Sequence, residues 1–379
     1  MARLGDVATY INGYAFKPSD WSDTGLPIIR IQDLTGNSYQ ANRYNGEYAS
    51  KYEVNDGDVL ISWSASLGVY IWHGEKALLN QHIFKVVFNK EEVSKNFFVY
   101  QVENILAKAA SEAHGATMKH LTKPIFDALP FYLPPIDEQR RIAATLDKIT
   151  ELIAKRRQQL DKLDELVKAR FVEMFGDPII NNFQISSRPI TELCDIIDGD
   201  RGKNYPTQDE LMGNGDCLFL NAKNVTSNGF DFHNCMHITN EKDSILRNGH
   251  LSRGDIVLTT RGTIGNIAFY DNSIPYESMR INSGMVILRI HHKVLEEYFF
   301  IEQFKILLPS IKEKIASGSA QPQLPISTMN KIIILVPKIE EQLDFSGFIK
   351  QINKAKTAIS RSLDKLETLK KALMQEYFE

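Results

Sequence analysis

The sequence predicts an α+β protein in which two repeated mixed α/β domains are separated by two long helices that pair as an antiparallel coiled coil. Three observations lead to this fold class: motifs that recur at a nearly constant offset, short β-like runs in Gly- and Asn-rich segments, and two heptad ladders. The 379 residues fit about two or three domains. A hydrophobic fraction of 43% and a charged fraction of 24% are ordinary for a globular chain.

The internal repeat is visible in short motifs. Residues 57–62 (GDVLIS) match residues 254–259 (GDIVLT) at an offset of 197. Further along the chain the offset is 203, where residues 138–139 and residues 341–342 both read Glu-Gln. Each copy has roughly 190 residues, which is too long for the unit of a solenoid, so the pattern indicates a domain with an appendage, used twice.

The first part of each copy combines predicted strands and helices. Apolar runs predict strands at 26–31, 58–62 and 83–88 in the first copy, and at 218–221, 255–260 and 284–290 in the second. Apolar spacing predicts helices at 93–110 and 294–315. We therefore divide the chain into α/β domains at 1–135 and 177–335 and long helices at 136–176 and 336–379.

The second part of each copy is a heptad ladder, in which steps of three and four residues alternate. Such spacing keeps one stripe of a helix against a partner helix. The predicted seam comprises Ile142, Leu146, Ile149, Ile153, Leu160 and Leu163 in the first helix, and Phe345, Ile349, Ile352, Ile359, Leu363 and Leu366 in the second. Prolines precede both helices, and Gly176 and Pro178 are expected to end the first.

The order domain, helix, domain, helix allows the two helices of one chain to pair antiparallel. That pairing would place the domains at opposite ends of a stiff rod. A homodimer of coiled coils is the competing geometry, and a packed helix pair without further role is the plainest interpretation.

Several kinds of chemistry find no support in the sequence. It contains no P-loop, no Gly-x-Gly-x-x-Gly after a strand and no His-Glu-x-x-His, so an autonomous enzyme is disfavoured. The triplet His233, Cys235 and His237 would share a strand face, but a fourth ligand, Cys217, would have to arrive from elsewhere, and we expect no metal. Three cysteines, no apolar signal core and no long apolar run favour a cytoplasmic protein without a membrane span.

Segments at the helix boundaries carry a family resemblance. Residues 133–142 (LPPIDEQRRI), the helix that follows and residues 174–178 (MFGDP) resemble the central conserved region of type I restriction–modification specificity (S) subunits. Residues 336–342 and their helix resemble the distal conserved region. The Gly-Asp strands and residues 262–265 (GTIG) resemble the target recognition domains, so the resemblance covers essentially the whole chain.

The resemblance implies a non-catalytic subunit that selects a bipartite, asymmetric double-stranded DNA target, one half for each recognition domain. The helices would set the half-site spacing and dock two modification (methyltransferase) subunits. Those subunits would bring S-adenosylmethionine, and restriction subunits would bring ATP-driven translocation and Mg-dependent cleavage, so this chain would hold no cofactor itself. The alternatives are a coiled-coil adaptor that binds proteins but not DNA, and a recognition subunit serving a methyltransferase without a restriction partner.

A net charge of −3 requires that any DNA-binding face be a local patch or be completed by a partner. Base edges are read by Arg, Lys, Asn, Gln, Ser and Thr side chains. In the first copy we predict Arg30, Gln32, Ser62, Trp63, Ser64, Ser66, Asn80, Gln81, Thr117, Lys119 and His120 as DNA-binding residues. In the second copy we predict Arg201, Lys203, Asn221, Lys223, Asn224, Thr260, Arg261, Thr263, Asn282, Ser319 and Gln321.

Each of these residues also has an ordinary interpretation, because Asn and Ser often hold turns and tryptophan is often part of a core. Residues 65–68 (ASLG) stand where the second copy has residues 262–265 (GTIG), which suggests that the two domains read different sequences. As a hypothesis, Arg261→Ala weakens recognition of one half-site by about 1–3 kcal/mol.

Overall fold

A computed structural model describes residues 1–36, 42–64, 66–112, 122–316 and 323–378. The chain divides into two compact units. The first unit comprises Met1–Gln158 and Ser360–Glu379, and the second comprises Gln159–Ile359. Each unit therefore combines one copy of the repeated α/β domain with a stretch of both long helices.

The first unit is built on two four-stranded sheets. Its elements are β1 (Ala2–Arg3), α1 (Leu4–Val7), β2 (Thr9–Asn12), β3 (Leu26–Ile29), α2 (Ile31–Leu34), β4 (Arg43–Tyr44), β5 (Glu53–Val54), β6 (Val59–Ser62), β7 (Gly68–Ile71), β8 (Ala77–Leu79), β9 (Ile83–Val87), α3 (Lys95–Glu112), α4 (Lys123–Ala128), β10 (Pro130–Phe131) and the beginning of α5 (Ile136–Phe175). One sheet is antiparallel, in the order β2-β9-β6-β7. The other has the order β4-β3-β8-β5, with β3 parallel to β8.

The second unit repeats this plan. Its elements are β11 (Ser187–Pro189), β12 (Cys194–Asp198), β13 (Cys217–Leu220), β14 (Val225–Thr226), β15 (Gly229–Phe230), β16 (His237–Ile238), α6 (Asn240–Ile245), β17 (Ile256–Thr259), β18 (Ile267–Phe269), β19 (Met279–Ile281), β20 (Met285–Ile290), α7 (Glu297–Ala316), α8 (Ile326–Met329), β21 (Ile333–Leu335) and most of α9 (Ile339–Phe378). The antiparallel sheet has the order β12-β20-β17-β18, and β13 pairs in parallel with β19.

Strand register is also repeated. In the first unit Asn12 lies opposite Phe84, and in the second Asp198 lies opposite Val286. The predicted repeat of two mixed α/β domains is thereby confirmed. The strand predicted at 26–31 ends at Ile29, because the N–H of Arg30 donates to Asp33 and begins α2.

All twelve residues of the predicted coiled-coil seam are buried or half-buried. In the first unit the Arg157 guanidinium lies 2.7 Å from the Glu367 carboxylate. In the second unit the Phe171 and Phe345 rings meet edge to face with centroids 5.5 Å apart. In the second unit Lys356 also pairs with Asp164, so residue numbers rise along α5 as they fall along α9 and the helices run antiparallel there.

The first long helix ends where the sequence predicts. Gly176 adopts a positive φ of 71°, and its N–H donates to the Val172 carbonyl. A left-handed residue at this place satisfies the last helical carbonyls, and glycine adopts that conformation without strain. Within the described ranges, none of the helices combines the length and apolar character that crossing a membrane requires.

Candidate nucleic-acid interface

In the second unit, three loops meet at the ends of β12, β13 and β19. A Cβ atom on Gly199 would lie 2.2 Å from the backbone oxygen of Asn282, so only glycine allows this close approach. The N–H of Asn282 donates to the Leu220 carbonyl over 3.0 Å. The loops that follow these strands therefore lie side by side, and they carry most of the residues predicted to bind DNA in this copy.

Arg201 is held in place by its neighbours. The buried Asp200 carboxylate accepts the backbone N–H groups of Arg201 and Arg247, each over 2.6 Å. The Arg201 side chain lies 2.9 Å from the Asp198 carboxylate and 3.4 Å from the Ser283 carbonyl. Burial pushes the pKa of Asp200 upward, but hydrogen bonds from the Arg247 and Arg201 amides outweigh it and hold that pKa below its usual value.

A cavity of about 290 Å³ is lined by the end of β12 and the loop after it, by residues 260–261 after β17, by Val286 of β20 and by residues 323–327. Its polar lining consists of Asp198, Arg201, Thr260, Arg261, Gln323 and Ser327. The backbone N–H of Arg261 donates to the Gly284 carbonyl over 3.2 Å, which fixes the chain at this turn. Within the described part of the chain, no hydrogen bond or ion pair engages the Arg261 guanidinium.

Some predicted DNA-binding residues of the second unit are exposed. Arg201, Lys203, Lys223, Arg261 and Thr263 are exposed, and Asn282 is half-buried. Four of these side chains, Arg201, Lys203, Lys223 and Arg261, carry a positive charge on loops that follow strands.

Other predicted residues of this unit are occupied by structural hydrogen bonds. The Asn221 side chain accepts from the Lys223 N–H, and the buried Asn224 side chain accepts from the Asn221 N–H and donates to two carbonyls. The buried Thr260 hydroxyl donates to the Gly284 carbonyl over 3.0 Å. The structure thus corrects the prediction that Asn224 and Thr260 offer their side chains to DNA, and it gives Asn221 a turn-forming role.

The first unit has the same close approach at its strand ends. A Cβ atom on Gly13 would lie 2.0 Å from the Asn80 backbone oxygen. Among the predicted residues here, Gln32 and Ser66 are exposed, whereas Arg30, Asn80 and Gln81 are half-buried. Arg30 is paired with Asp33 over 3.2 Å.

Two predictions in the first unit need correction, and a third predicted residue, the half-buried Trp63, makes contacts within the unit. Ser62 is fully buried, and its hydroxyl donates to the Ser66 carbonyl. Ser64 is also buried. The indole of Trp63 stacks on Phe84 with centroids 5.6 Å apart and donates to the Asn12 side chain over 3.3 Å, so it packs within the fold.

The remaining predicted DNA-binding residues lie outside the described residues: Thr117, Lys119, His120, Ser319 and Gln321. Sequence reasoning missed Asp198 and Gln323, which line the cavity. A signal for Asp198 was present, since residues 198–199 (DG) match residues 12–13 (NG) at an offset of 186.

The side chains of the triplet His233, Cys235 and His237, where we expected no metal, have different surroundings. His233 is exposed and paired with Asp231, whereas His237 is buried in β16. Another group of possible ligands, Cys217, Asp243 and His250, lies within 4.8 Å among the described residues.

This second group does not have the character of a metal site. The Arg280 guanidinium, which is 4% exposed, lies 2.6 Å from the Asp243 carboxylate. A buried positive charge at that distance pairs with the carboxylate and would repel a metal ion.

Comparisons with known proteins agree on one family. The family model described as "Type I restriction modification DNA specificity domain" matches residues 1–165 and 184–371. The chain is 23% identical over 411 residues to the type I restriction enzyme EcoBI specificity subunit of Escherichia coli, covering 99% of this chain and 84% of the relative. It is also 23% identical to the MjaVIII specificity subunit of Methanocaldococcus jannaschii, and this match covers 99% of this chain and 90% of the relative. The crystal structure of the S subunit of a type I restriction–modification system from M. genitalium has a similar fold, with a TM-score of 0.52, 15% identity and coverage of 100% and 95%.

Proposed function

The chain belongs to the family of type I restriction–modification DNA specificity domains, and from this premise we propose how its two units divide the recognition of DNA. It is a non-catalytic specificity subunit with two DNA recognition domains. Each unit binds one half of a bipartite, asymmetric double-stranded target. The two long helices set the distance between the half-sites and dock the modification subunits.

One observation carries this division of labour. The family model matches the chain twice, once in each repeat, and each repeat brings its polar loops together at the ends of equivalent strands. The exposed polar residues differ between the units, with Gln32 and Ser66 in the first and Arg201 and Arg261 in the second. Different exposed side chains on these loops favour different half-sites, because each base pair presents its own pattern of donors and acceptors.

The partners in this proposal are double-stranded DNA, two modification subunits and restriction subunits. The chain itself holds no cofactor: the modification subunits use S-adenosylmethionine, and the restriction subunits use ATP and Mg. The supporting observation is that the similar proteins are specificity subunits of type I restriction enzymes. Such a complex works on chromosomal and invading DNA, so we place the protein in the cytoplasm.

The test is a genome-wide map of methylated adenines in the native host with the gene intact, deleted and restored. We expect deletion to remove one bipartite motif and the restored gene to return it. The motif itself would give both half-sites and the spacer. An unchanged map in cells that express the modification subunit would contradict the proposal.

A second measurement addresses the adaptor alternative, which the family match does not support. The complex of this chain with its modification subunit is mixed with duplexes at low and high salt. We expect tight binding that weakens steeply as salt rises, because contacts to phosphates release counterions. A complex without duplex affinity at low salt would favour an adaptor.

A further inference from the structure

The two units differ at one equivalent place in their strand-end loops. In the first unit Trp63 stacks on Phe84 and donates to Asn12. At the matching positions the second unit has smaller or charged residues, namely Thr260, Val286 and Asp198. These three residues line the cavity of about 290 Å³. The second unit is therefore open where the first unit is occupied by an indole ring.

The opening in the second unit is also cationic. Arg201 and Arg261 form part of its wall, and the matching residues of the first unit are Ala15 and Ser64. Both arginines are exposed, and their backbone is fixed by Asp200 and by the Gly284 carbonyl. The second unit thus carries two guanidinium groups on backbone held by hydrogen bonds, and the first unit has neither arginine at the matching positions.

We infer that this cavity reads the major-groove edge of a G·C base pair in the half-site of the second unit, an inference that rests on the proposed function. Arg261, with Arg201 beside it, donates to guanine O6 and N7, which is the commonest specific contact of arginine with DNA. Asp198 accepts from the amino group of the paired cytosine. The first unit has no such arginine and reads its half-site with other side chains.

The composition of the wall favours a base edge over a phosphate. The Asp198 carboxylate lies 2.9 Å from Arg201, so the cavity offers an acceptor together with its donors. A phosphate group would meet this carboxylate with like charge, whereas the edge of a G·C pair presents both acceptors and a donor. Val286 and Leu324 supply part of the apolar lining, beside the polar Thr260, Gln323 and Ser327.

The test uses the full chain in complex with its modification subunits and selects bound duplexes from a randomised library. Two variants give the second unit the residues of the first: Arg261→Ser and Arg201→Ala. The matched control is Arg188→Ser, since Arg188 is an exposed arginine of the same unit that does not line the cavity. The half-site of the first unit reports within the same experiment whether each variant is folded and assembled.

We expect the wild-type complex to select guanine at one or more positions of one half-site. In Arg261→Ser that preference falls by about 5- to 150-fold at a single position, with the other half-site unchanged. A uniform loss of affinity for all duplexes, with a weaker salt dependence, would identify phosphate contacts and overturn the inference. Unchanged selection by both variants would overturn it as well. A wild-type complex that selects no bipartite sequence would instead overturn the proposed function, and with it this inference.

Discussion

Gln139 and Gln342 make equivalent hydrogen bonds in the two repeats. The side-chain oxygen of Gln139 accepts from the Ser94 N–H over 3.0 Å, and that of Gln342 accepts from the Glu296 N–H over 2.9 Å. Each side-chain nitrogen donates to the carbonyl of the proline five residues earlier, over 2.8 and 2.9 Å. Both side chains are buried. The first turn of α5 is thereby bonded to the start of α3, and the first turn of α9 to the start of α7.

Replacing this glutamine should destabilise its unit. In Gln342→Leu the Glu296 N–H and the Pro337 carbonyl lose a partner inside the protein, which costs about 1–3 kcal/mol of unfolding free energy for each unsatisfied group. Urea unfolding followed by circular dichroism measures the loss. Gln351→Leu, at an exposed position of the same helix, is the control and should change stability by less than about 0.5 kcal/mol. If the two substitutions lower the free energy of unfolding equally, the hydrogen bonds of Gln342 do not contribute to stability.

The close approach at the strand ends should not tolerate a side chain. In Gly199→Ala the added methyl group meets the Asn282 backbone 2.2 Å away, and we expect a loss of about 1–3 kcal/mol as the loops separate. Thermal unfolding measures the stability. Gly213→Ala is the matched control, since a Cβ atom there has no neighbour within 4 Å among the described residues. If Gly199→Ala melts at the same temperature as the wild type, the close packing of Gly199 against Asn282 is contradicted.

The ion pair between the buried Arg280 and the half-buried Asp243 should make stability depend on pH. Burial pushes the pKa of Asp243 upward, but the Arg280 guanidinium outweighs it and holds the pKa below the usual value of 3.8. A carboxyl whose pKa is lowered by folding stabilises the protein fully above its unfolded pKa, and this contribution is lost as pH falls through the folded pKa.

Asp243→Asn leaves the Arg280 charge buried without its partner and should cost about 3–5 kcal/mol at neutral pH. The free energy of unfolding is measured from pH 7 down to pH 2 for wild type and variant. The difference between them should shrink below about pH 4, near the pKa of the carboxyl in the unfolded chain. Asp209→Asn, an exposed carboxylate of the same unit, controls for the general loss of a negative charge. A difference that stays constant across this range would argue against the pair.

The helices should act as a ruler in the proposed function. Deleting residues 151–157 together with residues 366–372 removes one heptad from each long helix and preserves the seam pattern. The shortening of roughly 10 Å corresponds to about three base pairs. Methylation mapping should then report either a shorter spacer between unchanged half-sites or a loss of the motif. An unchanged spacer would exclude the ruler.

The parts of the fold that could be predicted are those in which apolar residues recur at a regular spacing. Seam residues such as Ile142 and Phe345 were identifiable because a stripe with 3.5-residue spacing has one structural explanation. The early end of the strand at Ile29 could not be predicted, because it depends on the hydrogen bond between the Arg30 N–H and the Asp33 side chain. A β-like run of apolar residues carries no sign of where a capping residue interrupts it.

The candidate site was harder to predict, because residue type does not reveal what a side chain binds. Ser62 and Thr260 belong to the residue types that read bases, yet their hydroxyls donate to carbonyls of their own unit. The cavity depends on which residues face one another across strands, such as Asp198 and Val286. Such pairs are distant in sequence and become visible once the register is known.

The division of the long helices between the units has a consequence for synthesis on the ribosome. Leu373, Met374, Tyr377 and Phe378 pack against the core of the first unit, and the Phe378 ring lies 5.5 Å from that of Phe97. The first unit therefore cannot complete this core until residues 373–378 are made. At about 5–20 residues per second, residues 1–158 wait roughly 10–45 s for this final turn. A nascent chain that stops before Ser360 would leave that core open, and we expect it to be recognised by chaperones and proteases.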